Sequence, residues 1–312
     1  MIKTSTTSNI QFATYTQHLS SLACSTAKRS LVTRTRTSTC RSSNRNTNVM
    51  MQSMNFTLPR SSSQRRSAEV PQFEKPTLFD VPVSNNGARV RMLIYLKGLE
   101  DEIEILPPTE LGGLKSSEYC ALNPQGKMPL MVLPDGSSIP ESECILQYLA
   151  DKYADREPTQ LIPSTPELRV KSQIATRFHD MYITTIQMAM YREMDIEIRA
   201  EMIKSISEQL DVLEDILVGP YCIGHYMSTA DCALFPTFVF MNFILPKYFG
   251  WESIWLRRPK LEAWWNQMCS ETVPARVKDE IEGGLRGWEE KDRWNVLGIV
   301  DQVKDKSYKW AY

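Results

Sequence analysis

The stretch of sequence that decides the fold is TLFDVPVSNNGARVRMLIYLKGLEDEIEIL, residues 77–106. It begins with a short β-rich run over 77–81 and continues into a segment, 89–97, whose apolar residues recur with helical spacing. Gly98 stands where a helix commonly ends. Acidic and aliphatic residues then alternate over 102–106, as they do in a half-buried strand. A β-α-β unit of about thirty residues places its two strands parallel and adjacent.

A hairpin and a further helix follow this unit. The Pro- and Gly-bearing segment 107–119 predicts a loop in which a short helix can form. After it come an apolar run over 130–133 and a second short run at 138–139. The dipeptide Asp135-Gly136 between them is a strong hairpin signal. A helix is predicted from Ser142 to about Tyr153. The order β-α-β, hairpin, helix is typical of a thioredoxin-like domain.

Beyond Pro166 the apolar spacing is helical throughout. One helix ends at Gly219-Pro220, and its apolar residues step by three and four: Met202, Ile203, Ile206, Leu210, Leu213 and Leu217. Further helices are predicted over 229–244, 259–269 and 274–288. We therefore predict an α+β protein with a thioredoxin-like βαβ-ββα domain followed by an all-helical domain. The predicted bounds are 76–155 for the first domain, 166–290 for the second and 291–312 for a C-terminal extension.

Residues 1–70 differ sharply in composition from the rest of the chain. They carry ten Lys or Arg but one acid, Glu69, and 26 of them are Ser or Thr. Such a stretch cannot bury enough apolar surface to offset the entropy of ordering it. Its composition predicts an organelle transit peptide, cleaved within 45–70. Because Lys3 is the only charge in the first 27 residues, a plastid is favoured over a mitochondrion. A disordered basic tail on a cytoplasmic protein is the alternative.

The composition of residues 71–312 disfavours several classes of protein. With 26 basic and 36 acidic residues, this part does not predict a nucleic-acid surface. The longest apolar segment, 232–245, contains Pro236 and Asn242, so we expect no membrane span. Seven Cys without a CxxC motif and three His in the whole chain predict a reducing compartment and no structural metal.

The first candidate for chemistry is the start of the first helix, where Ser84-Asn85-Asn86-Gly87 follows the first strand. A thioredoxin-like unit commonly carries its chemistry at this position, and the absence of Cys from 83–89 excludes dithiol exchange there. The positive end of the helix dipole and free backbone N–H groups favour an anion, to which the Ser84 hydroxyl can donate. The structural alternative is that Ser84 only caps the helix.

The second candidate is Lys127-Met128-Pro129-Leu130 at the entrance of the hairpin strand. Proline at a strand entrance is confined to few geometries, one of which is a cis bond. A cis bond would turn the backbone N–H and C=O of Met128 outward, where they can pair with a peptide-like ligand. A trans proline that starts a strand is the alternative.

The third candidate is Glu141-Ser142 at the start of the next helix. Ser142 is a good N-cap residue, which is the structural interpretation. A helix N-terminus with a hydroxyl is also a carboxylate site, and the adjacent Glu141 can receive an ammonium group. Together the two residues would hold an amino-acid head group.

The order and spacing of these features resemble the soluble glutathione transferases, with the tau and zeta classes as the most similar. In that family a Ser precedes "RVR" by five residues, as Ser84 precedes Arg89-Val90-Arg91. A Lys stands two residues before a cis-Pro, and Glu-Ser or Gln-Ser opens the third helix. Ser228-Thr229-Ala230-Asp231 is similar to the family's capping box in the helical domain. The resemblance covers about 76–290, and Asn85-Asn86-Gly87 departs from the tau and zeta patterns.

The resemblance implies a role for each matching residue. Ser84 would donate to the sulfur of glutathione, the co-substrate, and Lys127 would pair with the glycyl carboxylate. The Met128 backbone beside cis-Pro129 would hold the cysteinyl amide. The γ-glutamyl ammonium and carboxylate would bind to Glu141 and Ser142. The implied activity is conjugation of the glutathione thiolate to hydrophobic electrophiles, a detoxification reaction, in a homodimer.

By position in the family, His179, Tyr182 and Ile186 would face the acceptor substrate between the domains. Their spacing also fits core residues of a helix. Two alternative functions remain open: a non-catalytic binding or scaffold protein of the same fold, and a zeta-like isomerase that adds and removes glutathione. A Cys-dependent thiol transferase is disfavoured because 84–88 contains no Cys.

Overall fold

The computed structural model describes residues 72–158 and 161–312 of the chain. Both ranges belong to one compact unit. The predicted transit peptide, residues 1–70, lies outside the described residues and stays a prediction.

A four-stranded mixed sheet forms the first part of the described chain. Its strands are β1 (Thr77–Phe79), β2 (Glu104–Leu106), β3 (Leu130–Val132) and β4 (Ser138–Pro140), in the spatial order β2-β1-β3-β4. Strand β1 runs parallel to β2 and antiparallel to β3, and β3 pairs with β4 as a hairpin. The predicted β-α-β unit and hairpin are both confirmed.

Three helices accompany the sheet: α1 (Asn85–Leu96), α2 (Ser117–Leu122) and α3 (Ser142–Lys152). Helix α1 begins at Asn85 rather than at Arg89, where the apolar spacing starts. The reason is the cap: the Ser84 hydroxyl oxygen accepts the Gly87 N–H at 3.0 Å, which satisfies a donor of the first turn. The predicted loop 107–119 also contains a 3₁₀ turn, Pro108–Leu111, and the beginning of α2.

The two faces of the sheet bury different sets of side chains, because successive residues of a strand point to opposite faces. Leu78 and Met131 belong to the main core, together with the apolar residues of α1 and α3. Phe79 belongs to a smaller cluster on the other face. Its other buried members are Leu111, Tyr119, Leu122, Leu130 and Val132. The sheet is therefore covered on both sides.

The second part of the described chain is helical. Its helices are α4 (Pro166–Phe178), α5 (Ile196–Ile216), α6 (Thr229–Phe249), α7 (Pro259–Ser270), α8 (Thr272–Glu290), α9 (Arg293–Val296) and α10 (Ile299–Lys304). A π turn, His179–Ile183, and a 3₁₀ turn, Gln187–Met190, lie between α4 and α5. A small mixed sheet with helices, followed by a helical part, confirms the predicted α+β fold class.

Helix α6 is the apolar centre of the helical part. It continues through Pro236 and Pro246 to Phe249 and ends at Gly250, whose φ is 71°. The predicted end at residue 244 is thus too early. Burial of most of the side chains in this helix offsets the cost of proline inside a helix, about 3 kcal/mol.

Among the described helices α6 is also long and apolar enough to cross a membrane, with a mean hydropathy of 1.3 over its most apolar window. However, 83% of that window is buried inside the protein. A helix that is apolar around most of its circumference is typical of the core of a large domain.

The start of α6 is held by the carboxylate of Asp231, which is fully buried. It accepts the Ser228 backbone N–H, the Cys222 N–H and the Trp264 indole N–H, each at 2.8 Å. The predicted capping box at 228–231 is confirmed. Because the same carboxylate also binds a side chain of α7, it joins α6 to α7.

Helix α1 packs against both α6 and α8. At the contact with α8, a Cβ at Gly284 would lie 2.4 Å from the Cβ of Val83. Close approach at this point requires glycine. Nearby, Arg91 of α1 donates to Glu280 of α8 at 3.0 Å. These contacts hold the start of α1 against the helical part.

Candidate active site

A cavity of about 530 Å³ opens at the start of α1, between the sheet and the helices. Its sheet side includes Ser84, Asn85, Lys127 and Met128. Its helical side includes Gln187, Tyr191, Arg192, Phe240 and Trp288. Three residues predicted from the sequence, Ser84, Lys127 and Met128, are thus brought together in one cavity.

Ser84 occupies the N-cap position of α1 and is 6% exposed. Its oxygen accepts the Gly87 N–H at 3.0 Å. A hydroxyl oxygen that accepts one hydrogen bond still carries its own hydrogen, which Ser84 directs at the Asp80 carboxylate. The capping role is compatible with a donor role toward an anion in the cavity once this hydrogen turns from Asp80 to the anion.

A buried ion pair fixes the loop that leads to Ser84. Burial raises the pKa of Asp80 to about 6, against the opposing effects of the Arg91 charge and a hydrogen bond from Ser84. Arg91 donates to the Asp80 carboxylate, to the Val81 carbonyl at 2.8 Å and to the Pro82 carbonyl at 2.7 Å. The sequence reasoning used Arg91 only as part of a spacing and missed this role.

Gly87, in the first turn of α1, lies against the same Asp80 carboxylate. A Cβ at Gly87 would lie 1.8 Å from the Asp80 Oδ1, closer than any side chain tolerates. The first turn of α1 therefore rests directly on a carboxylate. Glycine at this position, where the chain departs from the tau and zeta patterns, has a steric cause.

The Met128–Pro129 bond is cis, as the family resemblance implies, and the trans alternative is wrong. The Lys127 carbonyl accepts hydrogen bonds from the Tyr119 hydroxyl and from the Asn123 Nδ2, both at 2.8 Å. The Lys127 side chain is exposed and makes no contact with a carboxylate among the described residues. This cation is thus free to pair with an anion in the cavity.

Glu141 and Ser142 differ from the predicted arrangement. Glu141, with a φ of 70°, holds the N-cap position, and Ser142 is the first residue of α3. The predicted helix start at Ser142 is confirmed, whereas the structural alternative, that Ser142 only caps the helix, is wrong because Glu141 holds that position. Ser142 is 8% exposed, and its hydroxyl has no hydrogen-bond partner among the described residues. A left-handed conformation at a non-glycine residue costs about 1–2 kcal/mol.

The sheet register brings the remaining predicted glutathione ligands to the same end of the sheet. Leu130 of β3 lies opposite Pro140 of β4. Continuing this antiparallel register sets Glu141 beside Pro129. The loop to Ser84 leaves β1 at this end too, because Phe79 lies opposite Leu130. Neither Glu141 nor Ser142 lines the cavity itself.

The residues predicted to face an acceptor substrate lie elsewhere. His179 is fully buried, and its Nε2 lies 2.6 Å from the Thr237 hydroxyl. The prediction that it faces the acceptor site is wrong, since other side chains enclose it. Tyr182 is 51% exposed on the outer surface, and Ile186 packs on the core; neither lines the cavity. The π and 3₁₀ turns after α4 change the helical phase, so a position taken from the family does not fix which side chains reach the cavity.

A buried polar network begins at the cavity with Asn85. Its Nδ2 donates to the Gln187 Oε1 at 2.8 Å, and its amide lies 2.8–3.0 Å from the Thr237 hydroxyl. Thr237 in turn contacts His179. The start of α1 is thus bonded to two segments of the helical part through neutral polar groups.

The network continues to Arg89, whose guanidinium lies 3.1 Å from the His179 Nδ1 and donates to Asp180 at 2.8 Å. Burial lowers the pKa of His179 and thereby favours the neutral imidazole. Burial alone would raise the pKa of Asp180, but the His179 hydrogen bond and the Arg89 charge hold it well below its usual value. Arg89 also lies 3.8 Å from Glu143, in the first turn of α3. Sequence reasoning found none of these contacts because they join residues far apart in the chain.

Within residues 72–158 and 161–312, no group of three His, Cys, Asp or Glu side chains could hold a metal ion. The groups gathered at the cavity are a hydroxyl at a helix N-terminus, amides, cations and aromatic rings. Such a set can bind an anionic peptide-like ligand and stabilise a negative charge at the start of α1.

Family models match two parts of the chain. Residues 78–157 match "Glutathione S-transferase, N-terminal domain" and residues 196–265 match "Glutathione S-transferase, C-terminal domain". Maleylacetoacetate isomerase of Rattus norvegicus is 31% identical over 174 residues, which cover 53% of this chain and 77% of the relative. Glutathione S-transferase 3 of Zea mays is 30% identical over 206 residues, which cover 62% of this chain and 88% of the relative.

Solved structures share the fold. A glutathione transferase homologue from Sulfitobacter, with bound glutathione, superposes with a TM-score of 0.56 at 21% identity. The superposition covers 67% of this chain and 99% of that chain. The described part of the chain therefore has the two-part architecture of these proteins.

Proposed function

The chain belongs to the glutathione S-transferase family, and we propose that it conjugates the glutathione thiolate to small hydrophobic electrophiles. Glutathione is the co-substrate of this family. The observation that carries the proposal is the cavity at the start of α1, which Ser84, Lys127 and Met128 line together. Three residues placed by separate parts of the sequence pattern meet at one site.

The chemistry follows from the acidity of a thiol. A free thiol has a pKa near 8.5, so only a few per cent is thiolate at pH 7. Lowering that pKa by about two units needs roughly 2.7 kcal/mol. A hydrogen bond from the Ser84 hydroxyl and the dipole of α1, about 1 kcal/mol, can together supply it. Ser84 acts as a stabiliser of charge, and glutathione is the nucleophile.

The remaining ligands would hold the peptide. Lys127 pairs with the glycyl carboxylate, and the Met128 backbone beside cis-Pro129 binds the cysteinyl amide. Ser142 donates its unpaired hydroxyl hydrogen to the γ-glutamyl carboxylate, while Glu141 receives the ammonium group. The shared position of these residues at one end of the sheet supports the assignment. The pattern is most similar to the tau and zeta classes.

Calorimetric titration with glutathione, followed by turnover of chlorodinitrobenzene, tests the proposal. Micromolar to millimolar binding together with conjugation supports it. Binding without turnover of any electrophile in a screen would instead identify a non-catalytic binding or scaffold protein of the same fold. Absence of glutathione binding would refute both.

An isomerase is the second candidate, favoured by one observation. Maleylacetoacetate isomerases of rat and mouse, at 31% and 28% identity, are among the relatives of this chain. A zeta-like isomerase adds glutathione to a conjugated double bond and then releases it unchanged. Isomerisation of maleylacetoacetate without net loss of glutathione would establish this activity. Consumption of glutathione in proportion to product would favour conjugation.

We propose a homodimer that forms through the outer face of α4 and the turn after it. Val170, Ile174, Met181 and Tyr182 are each about half exposed on this face. A second copy of the same chain can cover this apolar stripe in an isologous contact. Light scattering of the Ile174→Asp variant should give the monomer mass. A dimer mass in that variant would place the interface elsewhere.

The composition of residues 1–70 supports a further proposal, that they direct the protein to a plastid and are then removed. Fusion of these residues to a fluorescent reporter tests it. Import into plastids is expected. A reporter that stays in the cytoplasm would contradict the proposal. Import into mitochondria would show that residues 1–70 are a transit peptide for that organelle and not for the plastid.

A further inference from the structure

The helical wall of the cavity contains three aromatic rings in mutual contact. The ring centroids of Tyr191 and Phe240 lie 5.6 Å apart, those of Tyr191 and Trp288 lie 5.8 Å apart, and those of Phe240 and Trp288 lie 6.2 Å apart. Phe240 is buried, whereas Tyr191 and Trp288 are partly exposed. The exposed parts of Tyr191 and Trp288 can therefore pack against another planar ring.

The same wall carries hydrogen-bond donors that no described residue uses. The Tyr191 hydroxyl, the Trp288 indole N–H and the Arg192 guanidinium make no hydrogen bond within the described chain. Burial raises the pKa of Tyr191 to about 12, so the phenol keeps its proton and can donate it. An indole N–H and a guanidinium can only donate. The wall is therefore built to receive oxygen acceptors.

The charge of the cavity points to an anion. Its described lining contains the cations Lys115, Lys127 and Arg192, and none of its described lining residues is acidic. Lys115 donates to the Gln125 carbonyl at 3.3 Å, and Lys127 is assigned to the glycyl carboxylate of glutathione. Both lysines belong to the sheet side. Arg192, on the helical side, is left for a second anion.

Residues of the C-terminal extension hold this wall in place. The Arg293 guanidinium carbon lies 4.4 Å from the centroid of the Trp288 ring, and Arg293 donates to the Tyr191 carbonyl at 3.1 Å. The Trp294 indole N–H donates to the Met190 carbonyl at 3.0 Å. Contacts with the extension thus restrain both the ring of Trp288 and the backbone that carries Tyr191, which preorganises the wall for a ligand.

We propose that the acceptor substrate of this enzyme is an aromatic electrophile that carries a carboxylate. Its ring packs against the exposed parts of Tyr191 and Trp288, and its carboxylate accepts hydrogen bonds from Arg192 and the neighbouring donors. The inference rests on the proposed function, because it assigns the second substrate of the same site. For a benzylic halide of this class, the thiolate sulfur forms a bond to the benzylic carbon. The carbon–halogen bond breaks, the halide leaves with the electron pair, and the thiol proton goes to solvent.

Two conjugation products that differ only in the carboxylate provide the test: S-benzylglutathione and S-(p-carboxybenzyl)glutathione. Calorimetric titration of the full chain should show about tenfold tighter binding of the carboxylated product, the worth of one charge-assisted hydrogen bond. In Arg192→Gln the preference should fall to about one, and Arg192→Lys should restore part of it. Arg286→Gln, which removes an exposed charge from α8 outside the cavity, is the matched control and should keep the preference.

Two results would overturn the inference while the proposed function stands. Equal affinity of the wild-type protein for both products would show that the wall does not select a carboxylate. An equal loss of affinity for both products in Arg192→Gln would show that Arg192 binds glutathione itself. Wild-type protein that binds neither product nor glutathione would refute the proposed function and, with it, the inference.

Discussion

The two sides of the cavity differ in how well their lining residues were predicted from the sequence. On the sheet side, Ser84, Lys127 and Met128 were named from local sequence patterns, and the structure brings them together. On the helical side, the predicted His179, Tyr182 and Ile186 are absent from the cavity, and Tyr191, Phe240 and Trp288 line it. Residues at strand ends and helix starts depend on a few neighbours in sequence. Residues on a helical wall depend on how several helices pack.

The comparison shows that different parts of a binding site are encoded by different features of the sequence. On the sheet side, backbone geometry defines the site, through a cis bond at Met128–Pro129 and a helix start at Asn85. Turn and cap residues encode such geometry directly. On the helical side, side-chain packing defines the site, and many apolar sequences satisfy the same packing. The predictions that follow probe each side separately.

Removing the Ser84 hydroxyl should have the largest effect, on the sheet side. Ser84→Ala is expected to lower turnover by about 10²–10³, since one donor to a developing or stabilised anion is typically worth that much. Glutathione affinity should change less. Steady-state kinetics with chlorodinitrobenzene measures the loss.

Ser116→Ala is the matched control for that variant, because Ser116 caps α2 as Ser84 caps α1 and does not line the cavity. Both variants lose about 1 kcal/mol of cap stabilisation, but only Ser84→Ala should lose turnover. Similar turnover in the two variants would transfer the donor role to Asn85 or a backbone N–H.

A charge at the start of α3 should have the next largest effect. Ser142→Asp places a carboxylate against the proposed γ-glutamyl carboxylate, and two unit charges about 4 Å apart repel by roughly 4 kcal/mol at an effective dielectric of 20. Half of that weakens binding by about thirtyfold. Calorimetry should show at least a tenfold rise in the glutathione Kd.

The melting temperature of Ser142→Asp should stay nearly unchanged, because an acid in the first turn of a helix is favourable. Ser117→Asp is the matched control: Ser117 is the first residue of α2, as Ser142 is of α3, and is exposed. Wild-type glutathione affinity in a folded Ser142→Asp protein would refute the assignment of the start of α3 as the γ-glutamyl site.

On the helical side, substitutions of glycine in α8 should change the free energy of unfolding. A Cβ at Gly284 would lie 2.4 Å from the Cβ of Val83, so Gly284→Ala is expected to lower the free energy of unfolding by about 1–3 kcal/mol through overpacking. Gly287→Ala lies on the same helix with no atom within 4 Å of its added Cβ. It should raise the free energy of unfolding by about 0.5–1 kcal/mol. Urea denaturation compares the two, and equal effects would refute the tight contact.

The smallest expected effect concerns the pH dependence of stability. Burial holds the pKa of His179 below its unfolded value of 6.5. Below about pH 6.5 the unfolded chain therefore binds more protons than the folded protein, and stability falls as the pH is lowered toward the folded pKa. His179→Gln should reduce this slope, by at most about 1.4 kcal/mol per pH unit, without changing it above pH 7. Identical slopes in denaturation curves between pH 5 and 7 would count against a neutral buried imidazole.

Several features of the fold were predictable because their signals are local. The Asp135-Gly136 turn follows from a short motif and is confirmed. The cis Met128–Pro129 bond and the capping box at Ser228 follow from short motifs that resemble those of the family, and both are confirmed. Other features were not predictable. Helix α6 runs through Pro236 because its burial outweighs a local preference. Glu141 replaces Ser142 at the cap in a left-handed conformation that the sequence does not favour.

The sequence by itself determined the fold class, the family resemblance and the sheet-side residues Ser84, Lys127 and Met128. Short-range steric and hydrogen-bond preferences encode these features, and neighbouring residues settle them. Only the tertiary structure decided which helical residues face the cavity, and it placed His179 inside a network with Arg89 and Thr237 instead. That decision depends on the phase of the π and 3₁₀ turns after α4 and on the packing of distant helices. The spacing of apolar residues within one segment predicts neither the phase of these turns nor the packing of distant helices.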